Sequence, residues 1–218
     1  MADRVVRDDP LRPDPGFAEL YASLPDATDL QPWLSWGRRA RPPVLYLGVG
    51  SGRLAVPLVQ AGVEIVGVDA HPGMLERLHV RLPAAELVQG LIEDLDLGRR
   101  FDLVMAPSNI LTTPARLRGA VRHSSRLVAF ELLNPHWLLE GPARGVRVRS
   151  LTQERAELEI DYPGGWRQAA EVALTWPEEI ESVLEAAGLE LELMKGAAVA
   201  GSLAESPSYE VLARTKSW

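Results

Sequence analysis

The sequence contains no cysteine. Disulfides, thiolate metal sites and cysteine nucleophiles are therefore excluded. Long apolar runs are also missing, since the longest, such as Leu127 to Phe130, fall far short of the roughly 20 residues that a bilayer span needs. The N-terminus does not combine a basic start with the apolar stretch of a signal peptide. We therefore expect a soluble protein with no membrane partner, and the cytoplasm is its default location.

Positive charge is scarce. The chain carries 23 Lys and Arg against 30 Asp and Glu, for a net charge of -7. Nucleic-acid-binding proteins normally show a basic stripe, whereas the arginines here are scattered, so we expect no nucleic-acid partner. Histidine and carboxylate spacings typical of zinc and calcium sites are absent as well, and we expect no metal.

The apolar pattern predicts one main domain behind a short lead. Residues 1–16 are charged and rich in proline, so we expect an irregular lead that orders only against another segment. The chain of 218 residues, 46% of them hydrophobic, is long enough for one domain with a real core, which we place at 17–218. Short apolar runs followed by helical patterns predict strands at 44–47, 64–68, 86–89, 101–106 and 126–132.

The pattern changes after the fifth of these strands. Residues 145–176 alternate with a period of two around the turn Pro163-Gly164-Gly165, which predicts a small antiparallel β insertion. A helix from Pro177 and two further strands complete the chain. The fold class is therefore α/β, a doubly wound, Rossmann-like, mostly parallel sheet of about seven strands. The exposed insertion could pair between subunits, so a homodimer is one open possibility.

The strongest chemical signal is a glycine loop followed by an acid. Gly48-Val49-Gly50-Ser51-Gly52 ends the first strand, and Asp69, with Ala70 after it, ends the second. Glycines let a backbone approach a ligand closely, and a carboxylate can accept hydrogen bonds from both ribose hydroxyls, so the pair predicts a nucleoside site. Taken singly, the glycines could instead form a tight loop, and Asp69 could instead be the N-cap of a helix. The dinucleotide pattern needs glycine where Arg53 stands, which disfavours NAD.

At these residues the chain resembles the class I S-adenosylmethionine-dependent methyltransferases, most of all bacterial small-molecule enzymes. The similar segments read VLYLGVGSGRLAVPLVQAG, VGVDAHPGMLERL and FDLVMAPSNIL. The resemblance implies S-adenosylmethionine as cofactor and a small molecule as methyl acceptor. It implies cofactor contacts from Gly48, Gly50, Gly52 and Asp69, and it places Tyr21 in the segment that closes over the cofactor. We add the adjacent Val49 and Ala70 to the cofactor site, and also Asn109, which follows the fourth strand at the same edge and could orient the methionine end or the acceptor. A turn-forming residue is the alternative for Asn109.

Two residues depart from the family pattern. Tyr46 stands where an acid usually precedes the glycines, and Leu91 stands where an acid commonly follows Gly90. A lost charge-assisted hydrogen bond weakens binding by roughly 1.5 to 3 kcal/mol if nothing replaces it. Asp94 is the candidate replacement, with a solvated loop acid as the alternative.

Methyl transfer to a nitrogen or oxygen is helped by a base. His136 follows the fifth strand at the edge where open α/β sheets bind ligands, and we choose it as the catalytic residue. A loop histidine bonded to backbone is the alternative. The aromatic residues near the site, Trp33, Trp36, Trp137 and Trp166, are explained more simply by core packing.

The favoured hypothesis is an enzyme that methylates a nitrogen or oxygen atom of a small molecule. A second hypothesis is a protein of this fold that binds the cofactor without transferring methyl, as a binding module or a catalyst of cyclisation or rearrangement; Tyr46 and Leu91 motivate it. A third, a nucleotide-dependent oxidoreductase, rests on the glycine loop alone.

Overall fold

Eleven strands occur in the computed structural model, which describes residues 4–142, 145–197 and 203–216. In chain order they are β1 Arg4–Arg7, β2 Val44–Leu47, β3 Ile65–Asp69, β4 Glu86–Gln89, β5 Phe101–Ala106, β6 Ser124–Leu133, β7 Val146–Leu151, β8 Arg155–Tyr162, β9 Trp166–Ala173, β10 Leu189–Gly196 and β11 Ser208–Thr215.

Seven helices connect these strands in the described ranges. They are α1 Pro15–Ser23, α2 Trp33–Arg39, α3 Ala55–Gln60, α4 Pro72–Arg81, α5 Pro114–Arg122, α6 Pro135–Glu140 and α7 Ile180–Ala186. Four of them begin at a proline, whose missing N–H costs nothing in a first turn. The side chains of Asp14, Thr113 and Asn134 cap three of these starts by accepting from a backbone N–H.

The main sheet has the order β10-β11-β6-β5-β2-β3-β4. β2 to β6 run parallel, and β11 is antiparallel to both of its neighbours. The expected mostly parallel sheet of seven strands is confirmed. The chain moves outward from β2 to β4 and then returns to β5, so the strand order reverses between β2 and β5. Open α/β sheets bind ligands beyond the carboxyl ends of their strands at such a reversal.

Both faces of the main sheet are buried, which explains why its strands read as apolar runs. Leu45 and Leu47 of β2 pack into the core on one face. Val44 and Tyr46 pack into the core on the other. All four are at most 3% exposed.

A second sheet of four strands, in the order β1-β9-β8-β7, contains the insertion. β7, β8 and β9 pair antiparallel, as predicted. The N-terminal lead orders against another segment, as expected, but part of it is a strand and not irregular: β1 pairs parallel with β9 from Arg4↔Trp166 to Arg7↔Ala169. Val6 of β1 is buried against Phe17 and Trp166, so the pairing also closes a small core. Pairing of this sheet between subunits stays a prediction.

Within the described ranges, no helix combines the length and the apolar character that crossing a bilayer requires. Among the same residues, no group of three or more His, Cys, Asp or Glu side chains is arranged to hold a metal ion.

Asp102 ties the amino-terminal end of β5 to its surroundings. Its carboxylate accepts from the Arg41 backbone N–H at 3.0 Å and from the Arg126 guanidinium at 2.7 Å. Its side chain is only 5% exposed, and these bonds lower its pKa to about 2. A lowered carboxyl pKa stabilises the fold above pH 4 and loses that contribution as the pH falls towards the folded value.

We therefore expect Asp102→Asn to lower the free energy of unfolding at pH 7 by about 2 kcal/mol. Urea denaturation at several pH values measures the effect, and the difference from the wild type should shrink as the pH falls towards 2. A difference of the same size at every pH would contradict the electrostatic account.

Candidate functional site

A cavity of about 440 Å³ lies at the reversal point of the main sheet, between its carboxyl edge and the second sheet. Its volume is typical of small-molecule sites. The sheet edge contributes Gly48, Gly50, Asp69, Ala70 and Asn109 to the lining. The second sheet forms the opposite wall, which includes Leu158, Ile160, Tyr162, Gln168, Ala170 and Val172.

The glycine loop and the acid at the end of β3 contact each other directly. The backbone N–H of Gly50 donates to Asp69 Oδ2 at 2.8 Å, and the N–H of His71 donates to Asp69 Oδ1 at 2.8 Å. Desolvation by burial raises the pKa of Asp69 above its usual value. The carboxylate therefore stands at the cavity wall, oriented by two backbone donors, with lone pairs left for a ligand.

Two observations indicate space and an unpaired hydrogen-bond donor for a nucleoside ligand. Gly50 has a φ of +58°, which favours glycine, and a Cβ placed on it would meet no described atom within 4 Å, so the loop leaves space there for a ligand. Asn109 accepts from the Leu133 N–H at 2.8 Å through Oδ1, while its buried Nδ2 has no hydrogen-bond partner among the residues that the structure describes. A ligand oxygen near Asn109 would satisfy that donor. The residues present thus fit S-adenosylmethionine, which offers ribose hydroxyls and a carboxylate.

Aromatic and polar side chains join α1 to the second sheet across the cavity. The Tyr162 hydroxyl donates to Gln168 Oε1 at 3.0 Å. Burial and a hydrogen bond with Tyr162 raise the pKa of Tyr21 well above its usual value, so this phenol is neutral at physiological pH. Its ring also packs on Phe17, with 4.6 Å between the ring centroids. This part of the cavity wall therefore combines apolar aromatic rings with the polar groups of Tyr162 and Gln168.

Of the residues predicted to contact the cofactor, six line the cavity: Tyr21, Gly48, Gly50, Asp69, Ala70 and Asn109. Val49 and Gly52 are buried beside it. The Val49 N–H donates to the Val68 carbonyl, which joins the glycine loop to β3. Both therefore shape the loop from outside the lining.

His136, the predicted base, does not line the cavity. The chain after β6 turns into α6 at Pro135, and the His136 ring lies with Nε2 2.6 Å from Glu178 Oε1 and beside Trp176. The structure thus brings His136 together with the 3-10 turn Pro177–Glu179 and not with the glycine loop. The Asn134-Pro135 pair is typical of an N-cap followed by the first residue of a helix, and it could have predicted that the chain turns into α6 here.

The tryptophans pack in the core, as the sequence analysis favoured. Trp33 and Trp36 meet edge to face beneath the sheet, and Trp166 packs with Phe17. Of the acids after Leu91, Glu93 lines the cavity and Asp94 does not. Leu91 itself lines it, whereas Tyr46 is buried in the core.

Asp8 also lines the cavity, and the sequence did not predict it as a site residue. It belongs to the lead that has no apolar period, and the strand that carries it into place pairs with residues far away in the chain. A pattern among neighbouring residues therefore could not predict that Asp8 lines the cavity.

The chain is similar to a family model, to curated relatives and to solved structures. A family model described as "Methyltransferase domain" matches residues 44–129. An uncharacterized methyltransferase of Synechocystis is 38% identical over 109 residues, which are 45% of this chain and 51% of that protein. The CcbJ methyltransferase of Streptomyces caelestis has a similar structure, with a TM-score of 0.70, 24% identity and coverage of 92% of this chain and 96% of that one.

A second solved structure, the sugar N-methyltransferase KedS8 of Streptoalloteichus, matches with a TM-score of 0.63 and 21% identity over 87% of this chain and 89% of that one. Residues 44–129 thus match a methyltransferase domain, in agreement with the resemblance of the motifs, and the solved structures share the fold of the chain. It spans about half the length of the curated relative from Synechocystis.

Proposed function

We propose that this protein transfers a methyl group from S-adenosylmethionine to a nitrogen or oxygen atom of a small molecule. The observation that carries the proposal is the Asp69 carboxylate, bound to the Gly50 N–H at the carboxyl ends of β2 and β3. That position suits the two ribose hydroxyls of the cofactor. We place the methionine end beside Gly48 and Asn109, whose Nδ2 lacks a protein partner.

When bound, S-adenosylmethionine supplies an activated methyl group on a sulfonium. What remains for the protein is to hold the acceptor in line and to exclude water, which by themselves account for much of the rate in such reactions. We assign acceptor binding to the wall formed by the second sheet, where Tyr162 and Gln168 supply hydrogen bonds beside the apolar Leu158 and Ile160. The proposal does not use His136.

A small-molecule acceptor suits the size and enclosure of the cavity, which lies between two sheets. KedS8, with the similar fold, is named a sugar N-methyltransferase, and a nitrogen acceptor is consistent with that likeness. The charge pattern of the chain argues against nucleic acid, since the net charge is -7.

Calorimetric titration of the purified chain tests the cofactor half. We expect micromolar binding of both S-adenosylmethionine and S-adenosylhomocysteine, and none of NAD. A protein that binds neither S-adenosylmethionine nor S-adenosylhomocysteine would overturn the proposal. An acceptor screen that detects S-adenosylhomocysteine then tests transfer, and cofactor binding without any product across amine and hydroxyl acceptors would favour a binding protein of this fold.

A further inference from the structure

The segment between β1 and α1, residues 8–14, forms a loop over the cavity that we call the N-terminal strap. Its two ends are close together, because the Arg7 N–H donates to Asp14 Oδ2 at 3.2 Å. Asp14 Oδ1 also caps α1 by accepting from the Gly16 N–H at 2.9 Å. On the other side, β1 is fixed to β9 by strand pairing. The strap is therefore a compact loop with both ends held.

The strap is also tied to the carboxyl end of β3. The His71 ring Nε2 lies 2.8 Å from the Asp14 carbonyl oxygen, and since that oxygen can only accept, Nε2 carries the proton. The backbone N–H of the same residue donates to Asp69. His71 thus connects the strap to the acid that we assign to the ribose.

Two neighbouring acids of the strap have different surroundings. Asp9 bonds within the strap, where its carboxylate accepts from the Leu11 N–H and from the Arg12 side chain, both at 3.0 Å. Asp8 lines the cavity, and within the described ranges no hydrogen bond or ion pair holds its carboxylate. The Asp9 carboxylate is therefore occupied by local bonds, of which an asparagine oxygen could keep the one from the Leu11 N–H, whereas Asp8 is free to meet a ligand.

Asp8 lies at the nucleoside end of the cavity, because it lines the cavity together with Asp69 and His71, and His71 ties the strap to Asp69. Its side chain is also exposed to solvent. Desolvation at the cavity and the Asp69 charge raise the pKa of Asp8, while the charges of Arg116 and His71 lower it. A ligand that donates hydrogen bonds to both carboxylates would relieve the repulsion between Asp8 and Asp69.

We propose that Asp8 is a second carboxylate of the cofactor site, which accepts a hydrogen bond from a hydroxyl or amino hydrogen of the adenosine part. The inference rests on the proposed function. It assigns the strap to holding the cofactor, with Asp69 on the sheet side of the nucleoside and Asp8 on the solvent side.

The test compares Asp8→Asn with the matched control Asp9→Asn, which removes the same charge from the adjacent position. Calorimetry with the full chain measures the dissociation constants of S-adenosylmethionine and S-adenosylhomocysteine. We expect Asp8→Asn to weaken both ligands by about tenfold, the scale of one lost charge-assisted hydrogen bond, and Asp9→Asn to weaken them less than twofold. Thermal unfolding of both variants checks that the fold is kept.

An Asp8→Asn variant that binds S-adenosylhomocysteine as the wild type does would overturn the inference. Weaker binding of S-adenosylmethionine alone would overturn it too, because Asp8 would then act on the sulfonium charge that only this ligand carries. Equal losses in both variants would assign the effect to the strap as a whole and not to Asp8. A wild type that binds neither ligand would instead defeat the proposed function.

Discussion

Substituting Asp69 by alanine is expected to weaken S-adenosylmethionine binding by about tenfold or more and to leave the fold intact. The carboxylate is the acceptor that we assign to the ribose hydroxyls, and it also holds the Gly50 N–H at 2.8 Å. Alanine removes the ligand contact and releases the glycine loop together. Calorimetric titration measures the loss, and circular dichroism checks the fold.

The variant should not cost much stability, because the pKa of Asp69 is raised. For a carboxyl group, a raised pKa means that burial disfavours the ionised form in the folded protein, so ionised Asp69 destabilises the fold at neutral pH. The same sign predicts a pH effect on binding. Affinity for the cofactor should fall as the pH drops through the raised pKa of Asp69, and Asp69→Asn should lose the part of that pH dependence due to this group.

Asp94→Ala is the matched control for Asp69→Ala. Asp94 is an exposed acid close in sequence to the cavity residue Glu93, yet it lies outside the lining. We expect its replacement to change the dissociation constant less than twofold. An unchanged affinity in Asp69→Ala would show that the ribose site is misplaced, and a large loss in Asp94→Ala would restore that residue as a cofactor ligand.

The sequence predicted the main sheet well because its signal is local. The strands at 44–47, 86–89 and 101–106 have the predicted bounds, since each is a short run between clear turns or helix starts. The glycine loop and Asp69 were likewise recognisable in the sequence, because close backbone approach favours glycine and here it recurs at alternate loop positions. These features depend on neighbours in the chain.

The features that escaped prediction depend on distant residues. β1 is a strand because Trp166 to Ala169 offer it an edge, and its own four residues carry no sufficient pattern. Asp8 enters the cavity as a result of that pairing. His136 was placed correctly after β6, but the side-chain direction followed from α6, which turns the ring towards Glu178. The positions of strands along the chain can be predicted from sequence patterns, whereas the direction of a loop side chain depends on which distant segment packs beside it.

Gly119→Ala should be among the most damaging single-methyl changes in the chain. Gly119 lies inside α5, where a Cβ would overlap the carbonyl oxygen of Ile92 and come within 2.9 Å of its carbonyl carbon. Both atoms are backbone, so no side-chain rotation relieves the contact. Either α5 or the segment Gly90–Glu93 must move, although alanine by itself favours a helix by about 1 kcal/mol over glycine. We expect a net loss of about 2 kcal/mol in the free energy of unfolding.

Gly119→Ala should also affect cofactor binding, because Leu91, Ile92 and Glu93 all line the cavity. A segment that moves away from α5 moves towards the cavity, so the affinity for S-adenosylmethionine should fall at least fivefold, on the order of 1 kcal/mol. Urea denaturation and calorimetry measure the two effects. Arg118→Ala, at the exposed neighbouring position of α5, is the control and should change neither. A Gly119→Ala protein as stable as the wild type would show that α5 can shift freely, and the packing of this helix would then not position the cavity wall.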